Sequence, residues 1–466
     1  MSGVQVRSRY RVFCAVSLIL LSLAAIAYGA HCVWDGRWIA TKPGEEDAPK
    51  SGGDFTAFYS AGELARQHKD IYKFKSSSTP RRPFEYPPMF AVFPMAPLSL
   101  LSHNTALAVF YALNAILLAA GCVLLRKLLW PSAVNYDREP RLWLTPMAGM
   151  LASLVLCWRF IGSNTSNSNA NLIILFLLIV GLYFDRSEPR PQGSVKRGIV
   201  CGLSVALATA IKLTPGLFGI YFLWGWRRWA MLGGALGLAL FFLLIPAAWL
   251  GWDANSSYLR RYSKFVAGRS VDAQRLPEQS EQIDIGWERQ NDLSQSDIAV
   301  GSNASVRGML VNLLTPAVSL KKHGDRPRTV NIAALDTKTV NTIASVSGLL
   351  LLLATVAQTF GARAKRSPHA LALTWSLITV TMTLISPLTR IAHLVVLLIP
   401  IATLLALLQQ NLLHGAAKTF NWIALSMLAL SGLMPEYVRA VGFMTLTLLV
   451  LYVGLGLALR QPEDSQ

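Results

Sequence analysis

The residues best suited to chemistry lie between 52 and 97, where an aspartate sits on a glycine-rich turn. Asp54 follows Gly52 and Gly53 and precedes an aromatic-rich helical pattern. A carboxylate held on a turn can accept the proton of a hydroxyl group as that hydroxyl attacks an electrophile, which is general-base catalysis. Aspartate is also a favoured helix N-cap. Asp54 is therefore the leading candidate for a base, and the capping role stays open at this point.

A second carboxylate stands near the end of the same stretch. Glu85 and Tyr86 precede two prolines, which give a rigid extended entry into a short apolar segment at 87–101. Glu85 is either a ligand for a substrate hydroxyl or a solvated charge beside Arg81 and Arg82. We count Glu85 and Tyr86 as candidate substrate-binding residues.

Three basic side chains are candidates for binding a substrate. Lys212 lies inside an apolar stretch at 198–226, so it must be paired, face a water-filled cavity or extend to the interface. Arg390 and His393 follow a Ser-Pro pair and are three residues apart, which places them on one face if the segment is helical. An ammonium, a guanidinium and an imidazole suit a phosphate or a hydroxyl. Extension to the membrane interface is the alternative for Lys212, and a topological or core role is the alternative for Arg390 and His393.

The connector between two apolar segments at 162–171 is rich in asparagine. Its amides could bind sugar hydroxyls, and we name Asn169 and Asn171 as candidate ligands. A polar turn between helices would have the same composition. The amides nearest to them in sequence are Asn164 and Asn167.

The composition defines the class of protein. Of 466 residues, 53% are hydrophobic and 15% are charged, whereas soluble domains carry about 25% charged residues. The chain is thus predicted to be an all-α polytopic membrane protein in contact with the lipid bilayer. The net charge of +18 serves topology and anionic lipid, and no basic module indicates nucleic-acid binding. Four of the five cysteines lie in apolar segments, so no disulfide or metal framework is implied.

Basic residues in short loops predict the topology, because Lys and Arg stay on the cytoplasmic side. All short-loop clusters become cytoplasmic if 87–101 does not cross the bilayer and 198–226 crosses twice with Lys212 at the turn. This arrangement has about twelve spans and cytoplasmic termini in the cell membrane. The first apolar run, 12–28, is either a retained helix or a signal peptide. Residues 1–466 form one membrane domain, with 32–101 and 251–340 outside the cytoplasm, the latter being a cap, a partner-binding surface or partly disordered.

Five segments occur in a recognisable order: GGDFTAFYSAG, FEYPPMFAVFPMAPL, SNANLIILFLL, GIVCGLSVALATAIKLTPGLF and SPLTRIAHLVVLLIP. Together they resemble the polytopic mannosyltransferases that use polyprenyl-phosphate mannose, glycosyltransferase family 87 of the GT-C architecture. The resemblance covers residues 50 to 400. Where the family often has Gly-Gln before an Asn-Leu pair, this chain has Ser168 and Asn169 before Ala170 and Asn171.

The resemblance implies an inverting sugar transfer at the outer membrane face. Asp54 would be the base, the donor would be a polyprenyl-phosphate sugar, and the acceptor would be a glycolipid or glycan hydroxyl. The family's lysine before a proline maps onto Lys212, and its Ser-Pro turn with histidine maps onto Ser386, Pro387 and His393. No cofactor is expected, and a divalent metal is not expected either.

Two other functions compete with the enzyme. A transporter or lipid flippase is also polytopic and also has intramembrane polar residues, although transporters tend to show internal pseudo-symmetry. A non-catalytic scaffold could use the long loop to bind a partner. Sugar transfer from a polyprenyl-phosphate donor would distinguish the three.

Overall fold

A computed structural model describes residues 53–72, 84–130, 144–185, 193–272, 303–315, 320–323, 326–328, 330–362 and 367–461. The apolar run at 12–28 lies outside these residues, as does the centre of the 251–340 loop. The described chain is helical, as predicted. The exception within it is a short antiparallel pair, β1 (Leu320–His323) and β2 (Arg326–Arg328), which the all-α prediction did not include.

The helices are named in chain order. They are α1 (Asp54–Arg66), α2 (Pro88–Leu98), α3 (His103–Leu129), α4 (Leu144–Ser166), α5 (Asn171–Asp185), α6 (Gly193–Ile211), α7 (Gly216–Trp224), α8 (Arg228–Leu250), α9 (Trp252–Asp272), α10 (Val306–Leu314), α11 (Thr337–Ala362), α12 (Pro368–Ile385), α13 (Ile391–Gln409), α14 (Gly415–Leu430), α15 (Glu436–Ala440) and α16 (Phe443–Arg460). Short stretches of π-helix interrupt α2 and α8, and α13 opens with a 3₁₀ segment.

Local sequence explains where several helices begin. Ser305 caps α10 by accepting a hydrogen bond from the N–H of Gly308 at 3.1 Å. Ser367 caps α12 through the N–H of Ala370 at 3.1 Å, and Pro368 occupies the first helical position. Serine satisfies an otherwise unpaired donor, and proline has no N–H to satisfy there.

Apolar composition and length make many of these helices suitable for a membrane. Within the described residues, seven helices are long and apolar enough to cross a bilayer: α3, α4, α8, α11, α12, α13 and α16. The α12 helix is buried along most of its length, whereas α11 exposes Leu349, Leu350 and Leu353. An apolar exposed face next to a buried helix suits a protein surrounded by lipid. The total of about twelve spans stays a prediction.

The ends of the helices meet at two opposite ends of the bundle. At one end, which we call the site end, the last turn of α4, the first turn of α5, the end of α6 and the start of α13 meet through hydrogen bonds. At the opposite end, Trp130 after α3 donates to Gln409 of α13 at 3.2 Å. His369 of α12 contacts the carbonyl of Leu129 there at 3.3 Å. Residues far apart in sequence are thus collected at the site end.

Both ambiguous segments have a definite geometry. The α2 helix has 11 residues between 88 and 98, which rise about 16 Å at ~1.5 Å per residue, well short of the ~30 Å hydrocarbon core. The 198–226 stretch breaks at Lys212, and α7 runs back to the opposite end, where the Tyr221 hydroxyl donates to Asp185 Oδ2 at 3.3 Å. Lys212 therefore lies at the apex of a helical hairpin at the site end.

A buried carboxylate holds that hairpin at its base. Asp185, 7% exposed, accepts a hydrogen bond from Trp375 Nε1 at 2.9 Å and pairs with Arg227 Nε at 3.4 Å. With Tyr221, these contacts join α5, α7 and α12. A buried acid is tolerated because donors on three elements satisfy it.

Replacement of Asp185 with Ala should lower the free energy of unfolding by about 3 kcal/mol, since the change leaves the Arg227 guanidinium without its counter-charge in a largely buried place. The measurement is the apparent melting temperature in detergent. Asp253→Ala, which removes an exposed carboxylate on α9, is the control and should have little effect. Adding Arg227→Leu to Asp185→Ala should recover part of the loss. An equal shift for both aspartate variants would contradict the argument.

Much of the described part of the 251–340 loop is helix or strand. The α9 helix packs on the residues that follow α1, where Arg261 Nη1 pairs with Asp70 Oδ2 at 2.7 Å and the Tyr258 hydroxyl donates to the carbonyl of Lys69 at 3.4 Å. The α10 helix and the pair of strands, β1 and β2, follow α9 in the chain. The three alternatives for this loop, a cap, a partner-binding surface or partial disorder, stay predictions.

Candidate active site

The turn before α1 fixes Asp54 by its backbone. Gly53 is the N-cap of α1 and has a φ of +57°, in the left-handed region that favours glycine. The Asp54 N–H donates to the carbonyl of Asn167 at 2.9 Å. The cap makes no side-chain hydrogen bond, so the proposal that Asp54 is the N-cap is wrong. Its carboxylate is therefore directed elsewhere.

Substitution of Gly53 with Ala should impair activity far more than it impairs folding. A Cβ atom there would lie 2.6 Å from the Asn167 carbonyl oxygen, and the positive φ adds strain of about 1–2 kcal/mol. The turn must shift and displace Asp54, so we expect at least a tenfold loss of turnover. The assay compares turnover with the melting temperature. Gly251→Ala is the control, since that glycine also has a positive φ but a Cβ would meet nothing within 4 Å.

The Asp54 carboxylate is hydrogen-bonded to an asparagine. Asn169 Nδ2 donates to Asp54 Oδ2 at 2.7 Å, and Asn169 Oδ1 accepts from the Tyr86 hydroxyl at 3.2 Å. The buried Asn164 supports this arrangement, because its Nδ2 donates to the backbone carbonyl of Asn169 at 3.2 Å. The amide orientation of Asn169 is set by an acceptor on one side and a donor on the other. Three predicted residues are thus connected in one chain of hydrogen bonds.

Aromatic rings pack around the Tyr86 side chain. Phe58 and Phe90 have ring centroids 4.8 and 5.3 Å from its ring. Burial raises the pKa of the Tyr86 phenol well above its usual range, and the negative charges of Asp54 and Glu85 raise it further. Tyr86 therefore stays a neutral donor at physiological pH. The adjacent residue, Glu85, is half-buried, and its negative charge is one of the causes of the raised Tyr86 pKa.

Lys212 is hydrogen-bonded to the second asparagine of the turn. Its Nζ donates to Asn171 Oδ1 at 3.3 Å, and Asn171 Nδ2 donates to the carbonyl of Ala392 at 3.2 Å. Asn171 is buried and Lys212 is half-buried. Because Asn169 and Asn171 are two residues apart, the turn between α4 and α5 holds the carboxylate with one amide and the ammonium with the other.

Arg390 and His393 are arranged differently from the expectation of one helical face. Arg390 is extended and precedes the 3₁₀ segment of α13, and its N–H donates to His393 Nδ1 at 3.2 Å. This bond requires an unprotonated Nδ1, so a neutral His393 carries its proton on Nε2. The Arg390 guanidinium acts electrostatically on the Tyr86 phenol. Within the described residues, no protein acceptor binds this guanidinium.

All eight candidate residues lie at the site end. Direct bonds join Asp54, Asn169 and Tyr86, and a second set joins Lys212 and Asn171 to the start of α13. Sequence reasoning missed Tyr111, whose hydroxyl bonds Ser168 Oγ at 2.7 Å and supports the asparagine turn. Nothing in the sequence pattern distinguishes that tyrosine from other aromatic residues of a spanning helix. Among the described residues, no group of three or more His, Cys, Asp or Glu is placed to hold a metal ion.

Comparison with known proteins agrees with the resemblance seen in the five segments. The family model of glycosyltransferase family 87 matches residues 84–387, well over half of the chain. The chain belongs to glycosyltransferase family 87. The prediction of the family is therefore confirmed, and this family 87 protein carries the site described above at one end of a bundle of apolar helices.

Curated relatives match shorter segments. A polyprenol-phosphate-mannose-dependent alpha-(1-2)-phosphatidylinositol mannoside mannosyltransferase of Mycolicibacterium smegmatis is 35% identical over 147 residues, 30% of each chain. The protein of the same name from Mycobacterium tuberculosis is 33% identical over 146 residues, which is 30% of this chain and 31% of that one. The match thus spans about 30% of the relatives' length. No solved structure matches this chain.

Proposed function

We propose that this family 87 protein is a membrane mannosyltransferase that moves mannose from polyprenyl-phosphate mannose to a hydroxyl group of a glycolipid or glycan. The observation that carries the proposal is the asparagine turn at 169–171. It holds the Asp54 carboxylate on one amide and the Lys212 ammonium on the other. A sugar transfer from phosphate needs a base for the attacking hydroxyl and a cation for the departing phosphate, and one turn is hydrogen-bonded to a candidate for each.

The proposed reaction is a single displacement. The acceptor hydroxyl gives its proton to Asp54, and its oxygen forms a bond to C1 of mannose. The bond between C1 and the phosphate oxygen breaks, and its electron pair leaves with the phosphate. Attack from the face opposite the leaving group inverts the anomeric centre, so one base suffices.

Basic side chains at the site fit the leaving group. Lys212 and Arg390 offset the charge that develops on the phosphate in the transition state. The Arg390 guanidinium makes no hydrogen bond to protein within the described residues, which leaves its donors for a ligand. His393 can donate from Nε2 and the neutral Tyr86 holds the amide of Asn169. This mechanism requires no metal and no other cofactor.

The lipid donor and the site must meet at the same membrane surface. A polyprenyl phosphate dissolves in the membrane and presents its sugar at the surface, where the site end would lie. The opposite end carries the basic ends of α3 and α16, which favours a cytoplasmic location for that end. We therefore place the site outside the cytoplasm in the cell membrane, with both termini inside. The relatives' names indicate a phosphatidylinositol mannoside as the first acceptor to test.

The experiment is transfer in proteoliposomes. Purified protein receives radiolabelled polyprenyl-phosphate mannose with phosphatidylinositol mannosides in the same membrane, and a parallel reaction receives a nucleotide-linked mannose. We expect labelled product from the lipid donor alone. Transfer from the nucleotide sugar would contradict the proposed donor. Movement of the donor between leaflets without transfer would instead support the flippase.

A further inference from the structure

Several backbone groups of the turn before Arg390 form hydrogen bonds with nearby side chains. Ser386 Oγ donates to the carbonyl of Leu388 at 3.1 Å, and the Thr389 hydroxyl donates to the carbonyl of Thr383 at 2.7 Å. The Arg390 N–H is taken by His393. These bonds come from within the segment 383–393. They leave the carbonyl of Pro387 and both polar groups of the Thr389 backbone to be satisfied from elsewhere.

Asn303, within the 251–340 loop, and the next residue satisfy those groups. Its Nδ2 donates to the Pro387 carbonyl at 3.2 Å, and its Oδ1 accepts from the Thr389 N–H at 2.9 Å. The N–H of the next residue, Ala304, donates to the Thr389 carbonyl at 2.7 Å. The amide thus binds both sides of the turn, one residue before Arg390. Thr389 and Ala304 are buried, so water does not compete for these bonds.

Asn303 has a second, local role. Its Oδ1 also accepts from the Ser305 N–H at 3.1 Å, which shapes the chain before α10. One side chain therefore fixes its own loop and the turn of another segment, 84 residues away in sequence. Nothing in the proposed reaction assigns a role to this residue.

We propose that Asn303 is a positioning residue that holds the 386–390 turn and thereby aims the Arg390 guanidinium at the phosphate of the donor. This inference rests on the proposed function. Arg390 follows Thr389 directly, so a loosened turn displaces the guanidinium from the leaving phosphate. A displacement of about 1 Å is enough to weaken transition-state contacts considerably.

The main test uses Asn303→Ser. Serine keeps the local bond to the Ser305 N–H but is too short to span to Pro387 and Thr389. We expect kcat/KM for polyprenyl-phosphate mannose to fall about tenfold. The matched control is Asn341→Ser, which removes the acceptor of two bonds from Arg307, at 3.1 and 2.8 Å, in the neighbouring α10–α11 contact. That variant should change kcat/KM less than twofold.

A double-mutant cycle separates positioning from general destabilisation. If Asn303 acts through Arg390, Asn303→Ser should cost less than about twofold once Arg390→Ala is present, because the group that it positions is gone. An unchanged tenfold cost in the Arg390→Ala background would overturn the proposal. The cycle compares rates of the same reaction, so a uniformly less stable enzyme would not produce the expected non-additivity.

A labelling experiment tests the turn without relying on transfer. Leu388→Cys, in a chain whose own cysteines are replaced by alanine, is treated with a membrane-impermeant maleimide. We expect Asn303→Ser to raise the labelling rate at least fivefold and Asn341→Ser to leave it unchanged. An unchanged rate with Asn303→Ser would overturn the proposal. Absence of transfer by the native chain would refute the proposed function, and the labelling rates would still decide whether Asn303 holds the turn.

Discussion

Replacement of Asp54 with Asn should reduce kcat about a thousandfold while KM for the donor stays within a few fold. General-base catalysis contributes ~10²–10⁴ in rate, and an asparagine cannot take the acceptor's proton. The new side chain can still accept the hydrogen bond that Asn169 Nδ2 makes to Asp54 Oδ2, so the site keeps its shape. The measurement is initial-rate transfer in proteoliposomes, with donor and acceptor varied separately.

Asp70 provides the matched control for that variant. It lies in the same segment, 53–72, and its carboxylate pairs with Arg261 at 2.7 Å. Asp70→Asn should retain most of the activity, since an ion pair with this degree of exposure is worth at most about 1 kcal/mol. Full transfer by Asp54→Asn would remove that residue as the base. Equal losses in both variants would point to damage to the segment 53–72 as a whole.

Replacement of Lys212 with Gln should lower kcat about a hundredfold. Removal of one donor to a developing anion costs ~10²–10³ in rate. Glutamine keeps a polar group near Asn171 but carries no charge, so it cannot offset the departing phosphate. Lys212→Arg should retain more activity than Lys212→Gln, because it keeps the positive charge. Turnover is compared at saturating donor, with a melting temperature for each variant.

The control for Lys212 is an exposed lysine on α9. Lys264→Gln removes the same charge from an exposed position outside the site, and it should leave kcat unchanged. If Lys212→Gln lowered the melting temperature yet turned over at the native rate, Lys212 would be a residue that only reaches the membrane interface. The apex position at the end of α6 would then be structural.

Sequence reasoning succeeded where local composition and order decide the outcome. The excess of apolar over charged residues predicted membrane helices, and the described chain contains them. The order of five short segments predicted the family, which the match over 84–387 confirms. The break at Lys212 was predicted because two crossings of 198–226 keep the basic short-loop clusters on the cytoplasmic side, and the helix before it does end at Ile211. Such features depend on neighbours in the chain, so they are readable without the fold.

Local patterns failed where a residue's partner comes from another helix. Spacing suggested a shared helical face for Arg390 and His393, but the helix begins one residue after Arg390. Asp54 looked equally like a cap and a base. The cap is Gly53, because the close approach of the Asn167 carbonyl selects a glycine there. Neither outcome follows from propensity, since each depends on a contact across the bundle.

The amino-acid sequence by itself determined that this is a helical membrane protein of glycosyltransferase family 87, and it identified the polar residues that are candidates for the site. Only the tertiary structure decided how they meet: Asn169 with Asp54, Asn171 with Lys212, and Asn303 with the turn before Arg390. The reason is physical. Whether an apolar segment can enter a bilayer depends on the composition of that segment. A hydrogen bond between distant side chains depends instead on how the helices that carry them pack.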